Sequence, residues 1–234
     1  MKTTLLIFIA ILSMLLDVYG FQNDDQAELL RYLSQLNSKL QAEDEAFAES
    51  LAEENDIERL LEIAMNPDGR DYDPVIERIA KINTPAAADA LVSLVLKSDR
   101  FVSGKALCSL MDMQPNLKIS RLVDLLRKPT LRIHDKGRII SHLRAFPGAE
   151  VEAAILSFID DDGLQPQVLS TLGYIGTARS VDILRQYAEN GIEGSKSIAE
   201  HSLKRVETRI ESSGEDDYQV PQLPDEPPKD RFSK

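Results

Sequence analysis

The chain has 234 residues, with 27 basic against 39 acidic side chains, a formal net charge of −12, 43% hydrophobic residues and 6% aromatic ones. That apolar content supports a packed core and excludes disorder over the whole length. The single Cys excludes a disulfide framework and any multi-cysteine metal site, and the acidic excess excludes a general phosphate-backbone binder, so no nucleic-acid partner is expected.

Lys2 is followed by a nearly unbroken apolar run over residues 5–16, closed by Asp17. A bilayer-crossing helix needs roughly 20 apolar residues, so this shorter run reads as the core of a signal peptide spanning residues 1–20. Val18 and Gly20 stand at suitable positions for cleavage after Gly20. The expected location is periplasmic or secreted, with no stable membrane insertion after cleavage. Retention as an uncleaved anchor is the alternative.

Residues 21–75 carry 15 acidic and 4 basic side chains, residues 76–210 carry 16 and 19, and residues 211–234 carry 7 and 3. The acidity therefore lies at the two ends. Residues 21–72 form an acidic helical segment: Asp24 and Asp25 suit the positive end of a helix dipole, and Leu29, Leu30, Leu33, Leu36 and Leu40 succeed them at helical spacing. A second run contains Phe47, Leu51, Ile57, Leu60, Leu61 and Ile63. This segment is expected to cap the apolar edge of the helices that begin near residue 73. A homodimer with Leu29, Leu33, Leu36 and Leu40 as its seam is the alternative.

Residues 73–210 read as short amphipathic helices without strand alternation. Thr84 before Pro85, and Asp73 before Pro74, have the form of helix starts. Ile82, Met113, Phe146 and Ile175 each precede a break, at spacings of 31, 33 and 29 residues. Three residues before these anchors stand Ile79, Leu110, Leu143 and Leu172, and seven before stand Val75, Ala106, Ile139 and Val168. Nine after stand Leu91, Leu122, Ile155 and Leu184, and twelve after stand Leu94, Leu125, Phe158 and Tyr187. Sixteen apolar or aromatic residues in register predict helix hairpins that bury their apolar faces by stacking.

The string Ser170-Thr171-Leu172-Gly173-Tyr174-Ile175-Gly176-Thr177-Ala178-Arg179-Ser180-Val181-Asp182-Ile183-Leu184 resembles the short HEAT-like repeat of the phycobilisome-lyase type. Residues 79–91 resemble a second copy, with Asn83 in place of glycine. The copies around Met113 and Phe146 lack the glycines, so their turns must differ. The resemblance implies an all-α fold: an α-solenoid of about four stacked helix hairpins over residues 73–210. It would carry an N-terminal helical cap and a disordered acidic, proline-rich tail over residues 211–234. An irregular helical bundle is the rival architecture. No tetrapyrrole-binding motif accompanies the resemblance, so lyase chemistry is not implied.

No nucleophile elbow, phosphate loop or dinucleotide fingerprint occurs. His134, His142 and His201 lack metal-ligand spacing, so neither a metal nor a cofactor is expected. Asp160-Asp161-Asp162-Gly163 resembles a calcium loop only superficially, because Phe158 and Leu169 occupy its opening and closing ligand positions. It reads instead as a turn that caps the next helix. Cys108 aligns with Glu77, Ser141 and Ser170, a mostly polar position. It is therefore either a partly exposed thiol or a small side chain packed on the next helix.

Between residues 118 and 144 lie Lys118, Arg121, Arg127, Lys128, Arg132, Lys136, Arg138 and Arg144, against Asp124 and Asp135. This basic stretch is the candidate binding surface for an acidic protein partner, since Arg forks grip carboxylates. A solvated face, or a patch covered by one of the chain's own acidic ends, are the other readings. The expected function is a non-enzymatic scaffold or adaptor that binds another protein through its helical-repeat surface. An enzyme or enzyme subunit with residues assembled only by the fold is the alternative.

Overall fold

The computed structural model describes residues 23–66 and 72–213. The expected signal peptide and most of the expected tail lie outside these residues. Among the described residues the chain is all-α, without a strand. The helices are α1 (Asn23–Ser50), α2 (Ile57–Met65), α3 (Asp73–Ile82), α4 (Pro85–Lys97), α5 (Arg100–Asp112) and α6 (Pro115–Leu126). They continue with α7 (Ile133–Leu143), α8 (Ala149–Leu156), α9 (Gln165–Ile175), α10 (Ala178–Asn190) and α11 (Glu193–Ser213). The chain divides into two compact units, residues 1–118 and 119–234, with the division inside α6.

Helix breaks fall just past the four anchors, and the turn chemistry differs between copies. Thr84 caps α4 by accepting the Ala87 N–H at 3.3 Å, with Pro85 at the first helical position. Asn83 before it has φ 52°, in the left-handed region, where Asn is among the tolerated non-glycine residues. Gly176 occupies the aligned position but has φ −61°. Its lack of a side chain answers a close approach instead: a Cβ there would lie 2.5 Å from the Leu172 carbonyl oxygen. Asp73 does not cap α3, because the helix already includes it. Its carboxylate reaches Lys105 on α5 at 3.4 Å.

The register governs burial. All twelve side chains seven and three residues before, and nine after, the anchors have 0% exposure. At the fourth position Leu94 and Leu125 are buried, whereas Phe158 and Tyr187 are only half-buried. Helix α8 ends at Leu156, so Phe158 lies in a turn, where the Lys136 ammonium sits 5.1 Å from its ring centre.

In the first unit α3 packs on both α4 and α5, which places first helices of successive copies side by side. Helix α2 packs on α3 and α4 and buries Leu60 and Ala64. The cap expected of the whole N-terminal segment is therefore supplied by α2. Helix α1 makes no comparably extensive contact with another described helix, and Tyr32 and Leu36 on it are 61% and 38% exposed. In the second unit α7 and α8 each pack on α9, and α11 packs along both α9 and α10, burying Ala199 and Val206. Helix α11 runs to Ser213, past the expected boundary at residue 210.

Candidate functional site

Each unit carries an open groove between first helices of successive copies. In the first unit, Glu77 and Lys81 of α3 face Lys105, Cys108 and Asp112 of α5 across a groove of about 640 Å³. Lys105 bridges its walls, with Nζ 2.9 Å from Glu77 and 3.4 Å from Asp73. The hydrogen bond to Glu77 raises the Lys105 pKa, against the opposing effect of burial and with help from the Asp73 charge. In the second unit, Ser141 and Arg144 at the end of α7 face Gln167, Ser170 and Thr171 of α9 across about 190 Å³. The column five residues before the anchors, Glu77, Cys108, Ser141 and Ser170, thus lines both grooves. Its polarity was visible in the sequence as the column containing Cys108. That thiol is half-buried.

The predicted basic residues are placed unevenly. Lys118 is buried, with 7% exposure, and donates to the Met111 carbonyl. Burial lowers its pKa, and the Asp112 charge only partly opposes this. It takes no part in an exposed patch. Arg127 pairs with Asp124 at 3.1 Å, and Arg132 with the buried Asp135 at 2.7 Å. Lys128 is exposed, Arg121 and Arg138 are half-buried, and Lys136 lies over Phe158. Of the eight, Arg144 alone lines the groove of the second unit.

Arg144 also belongs to a cluster that sequence reasoning did not find. Its guanidinium carbon lies 5.5 Å from the centre of the Tyr174 ring, and that of Arg205 on α11 lies 4.7 Å from the same ring. Tyr174 is 42% exposed, and both arginines are exposed. The available signal was the pairing of Tyr174 with the Arg205/Arg209 spacing of four residues, which puts both arginines on one helix face.

The histidines are dispersed. His134 has 80% side-chain exposure and approaches Asp135 at 3.5 Å. His201 is exposed and contacts the Ser197 carbonyl through Nδ1 at 2.7 Å. His142 is half-buried, its ring centre 5.4 Å from that of Phe146. Among the described residues, no three His, Cys, Asp or Glu side chains are placed to share a metal ion, and no helix is long and apolar enough to cross a membrane. At the acidic loop, the Asp161 carboxylate accepts the Gly163 N–H at 3.0 Å rather than capping α9, whose N-cap residue Leu164 makes no side-chain cap bond.

One buried polar cluster serves the fold. Glu152 on α8 is 1% exposed, and its carboxylate accepts the Thr177 N–H at 2.9 Å and the hydroxyls of Thr177 and Ser180. It places negative charge at the N-terminus of α10, where the helix dipole favours it. Comparison of the chain with protein-family models, curated proteins and solved structures finds no match.

Proposed function

We propose that this protein is an exported helical-repeat adaptor that binds another protein along the faces of its first helices. The observation that carries the reading is the recurrence of one polar column in both grooves. The core register repeats along the sequence, and five residues before the anchors Glu77, Ser141 and Ser170 are exposed and Cys108 half-buried, with open space beside them. A repeat that buries the same positions in each copy necessarily presents the same positions outward, which is how such folds build extended docking surfaces. Export rests on the pattern of residues 1–20 alone.

Photo-crosslinking residues placed at Ser141 and Ser170 test the docking face in the full chain expressed with its N-terminal segment. Asp89 on α4 and Gln186 on α10 serve as exposed controls. Discrete adducts from the groove positions, absent at the controls, are expected. Adducts from the controls alone, or from no position, would contradict the proposal.

A second reading, self-association through α1, is favoured by the exposure of Tyr32 and Leu36 on a helix without extensive packing. Sedimentation of the full chain tests it. A dimer that dissociates on Leu36→Glu supports this reading, and a monomer at all concentrations removes it.

A further inference from the structure

The Tyr174 cluster has the chemistry of a receptor for consecutive carboxylates. Arg144 approaches the ring from the end of α7 and Arg205 from α11, so two guanidinium groups converge on one exposed aromatic. Neither arginine has a carboxylate partner among the described residues. Both keep their donor forks available for carboxylate oxygens.

The arrangement is held in place. Arg209, one turn beyond Arg205, donates to the carbonyls of Tyr174 and Gly176 at the C-terminal end of α9. It thereby pins α11 beside Tyr174 and fixes the direction from which Arg205 arrives. Beside Arg144, the groove supplies the side chains of Ser141, Gln167 and Ser170 as further hydrogen-bonding groups.

The sequence directly after α11 supplies a matching ligand. Helix α11 ends at Ser213, and the next residues are Gly214-Glu215-Asp216-Asp217-Tyr218. Arg205 lies eight residues before Ser213, which is about 12 Å along a helix. An extended chain covers roughly 3.3 Å per residue, so from a reversal at Gly214 the backbone reaches back about 7 Å by Asp216 and about 10 Å by Asp217. Asp216 and Asp217 therefore come within side-chain reach of Arg205, beside the ring that Arg144 shares. Glycine is the residue type that most readily accommodates a reversal after a helix end.

We propose that the Arg144–Tyr174–Arg205 face is a carboxylate-binding site whose resident occupant is this chain's own Glu215-Asp216-Asp217 segment. The tail covers the outer end of the second unit's groove and competes with acidic peptides that bind there. The proposal goes beyond the adaptor reading and does not depend on it, because it concerns an intramolecular contact.

The test uses full chains and a fluorescent peptide matching residues 213–219, followed by anisotropy at low salt. A neutral-tail chain carries Glu215→Gln, Asp216→Asn and Asp217→Asn. A short tether gives an effective concentration on the order of 1 mM, so for a peptide dissociation constant near ~0.25 mM the natural tail weakens binding about fivefold. The expected result is binding by the neutral-tail chain, about fivefold weaker binding by the natural chain, and loss of both as salt screens the charges. Arg144→Gln with Arg205→Gln should abolish binding by the neutral-tail chain, while Arg205→Lys should retain part of it. Equal affinities of the natural and neutral-tail chains would overturn the tail as occupant. Absence of binding by the neutral-tail chain, or binding indifferent to the arginine pair, would overturn the site itself. Circular dichroism of each variant separates loss of binding from loss of fold.

Discussion

Replacing Glu152 should expose how the second unit joins α8 to α10. Glu152→Ala removes the acceptor for the Thr177 N–H, the Thr177 hydroxyl and the Ser180 hydroxyl. Ser180 has 0% exposure, so its hydroxyl loses its partner without access to water, at about 1–3 kcal/mol. Thr177 is half-buried and regains part of its loss from solvent. Loss of the charge at the helix N-terminus adds about 0.5–1 kcal/mol. The total expected is about 2–4 kcal/mol. Glu152→Gln retains one acceptor oxygen but turns an N–H toward the Thr177 hydroxyl and removes the charge, so about 1–2 kcal/mol is expected. Urea unfolding followed by helical circular dichroism gives both values. Amide hydrogen exchange should show Thr177 deprotected in the Ala variant. A cost for Glu152→Ala below about 0.5 kcal/mol, or equal costs for Ala and Gln, would refute the reasoning.

Gly173 on α9 is a second sensitive point, because a Cβ there would lie 2.7 Å from Ser202 Oγ and 3.0 Å from Ser202 Cα on α11. Gly173→Ala should destabilise by about 1–3 kcal/mol through overpacking, partly offset by about 1 kcal/mol of helix propensity. Thermal melts should show a smaller cost in a Ser202→Gly background, and an equal cost in both would contradict the crossing. Lys118 gives a pH test. Burial lowers its pKa, so the unfolded chain holds that proton at pH values where the folded chain has released it. Stability should rise with pH between the folded-state and the ordinary lysine value. The unfolding free energy of the natural chain minus that of Lys118→Met should rise as the pH approaches the ordinary lysine value of about 10.4, and a difference constant with pH would contradict the assignment.

Core positions were legible in the sequence because burial imposes a period. Ile79, Leu110, Leu143 and Leu172 recur at nearly constant spacing, and all four are fully buried. The same period failed at Phe158, since α8 is two turns long and leaves that position in a turn, and at Tyr187, which stays half-buried on α10. Local chemistry was legible only where it was decided locally. Thr84 caps α4 as its neighbour Pro85 suggested, whereas Asp73 falls inside α3 and pairs with the more distant Lys105, and Asp161 accepts the Gly163 N–H within its own turn. The basic stretch was visible as composition, but composition cannot separate Lys118, directed into the core, from Arg144, directed onto Tyr174. The Tyr174 cluster draws on α7, α9 and α11, and no window of sequence contains all three.

Ser170 and Leu172 lie two residues apart on α9, one lining the groove and the other in the core register with 0% exposure. Paired alanine substitutions at these two positions, measured by urea unfolding, test most directly whether the repeat sets which side chains are core and which are surface. Leu172→Ala should cost about 2–5 kcal/mol and Ser170→Ala should stay within about 0.5 kcal/mol. Similar costs at both positions would contradict the register on which the fold and the docking face are built.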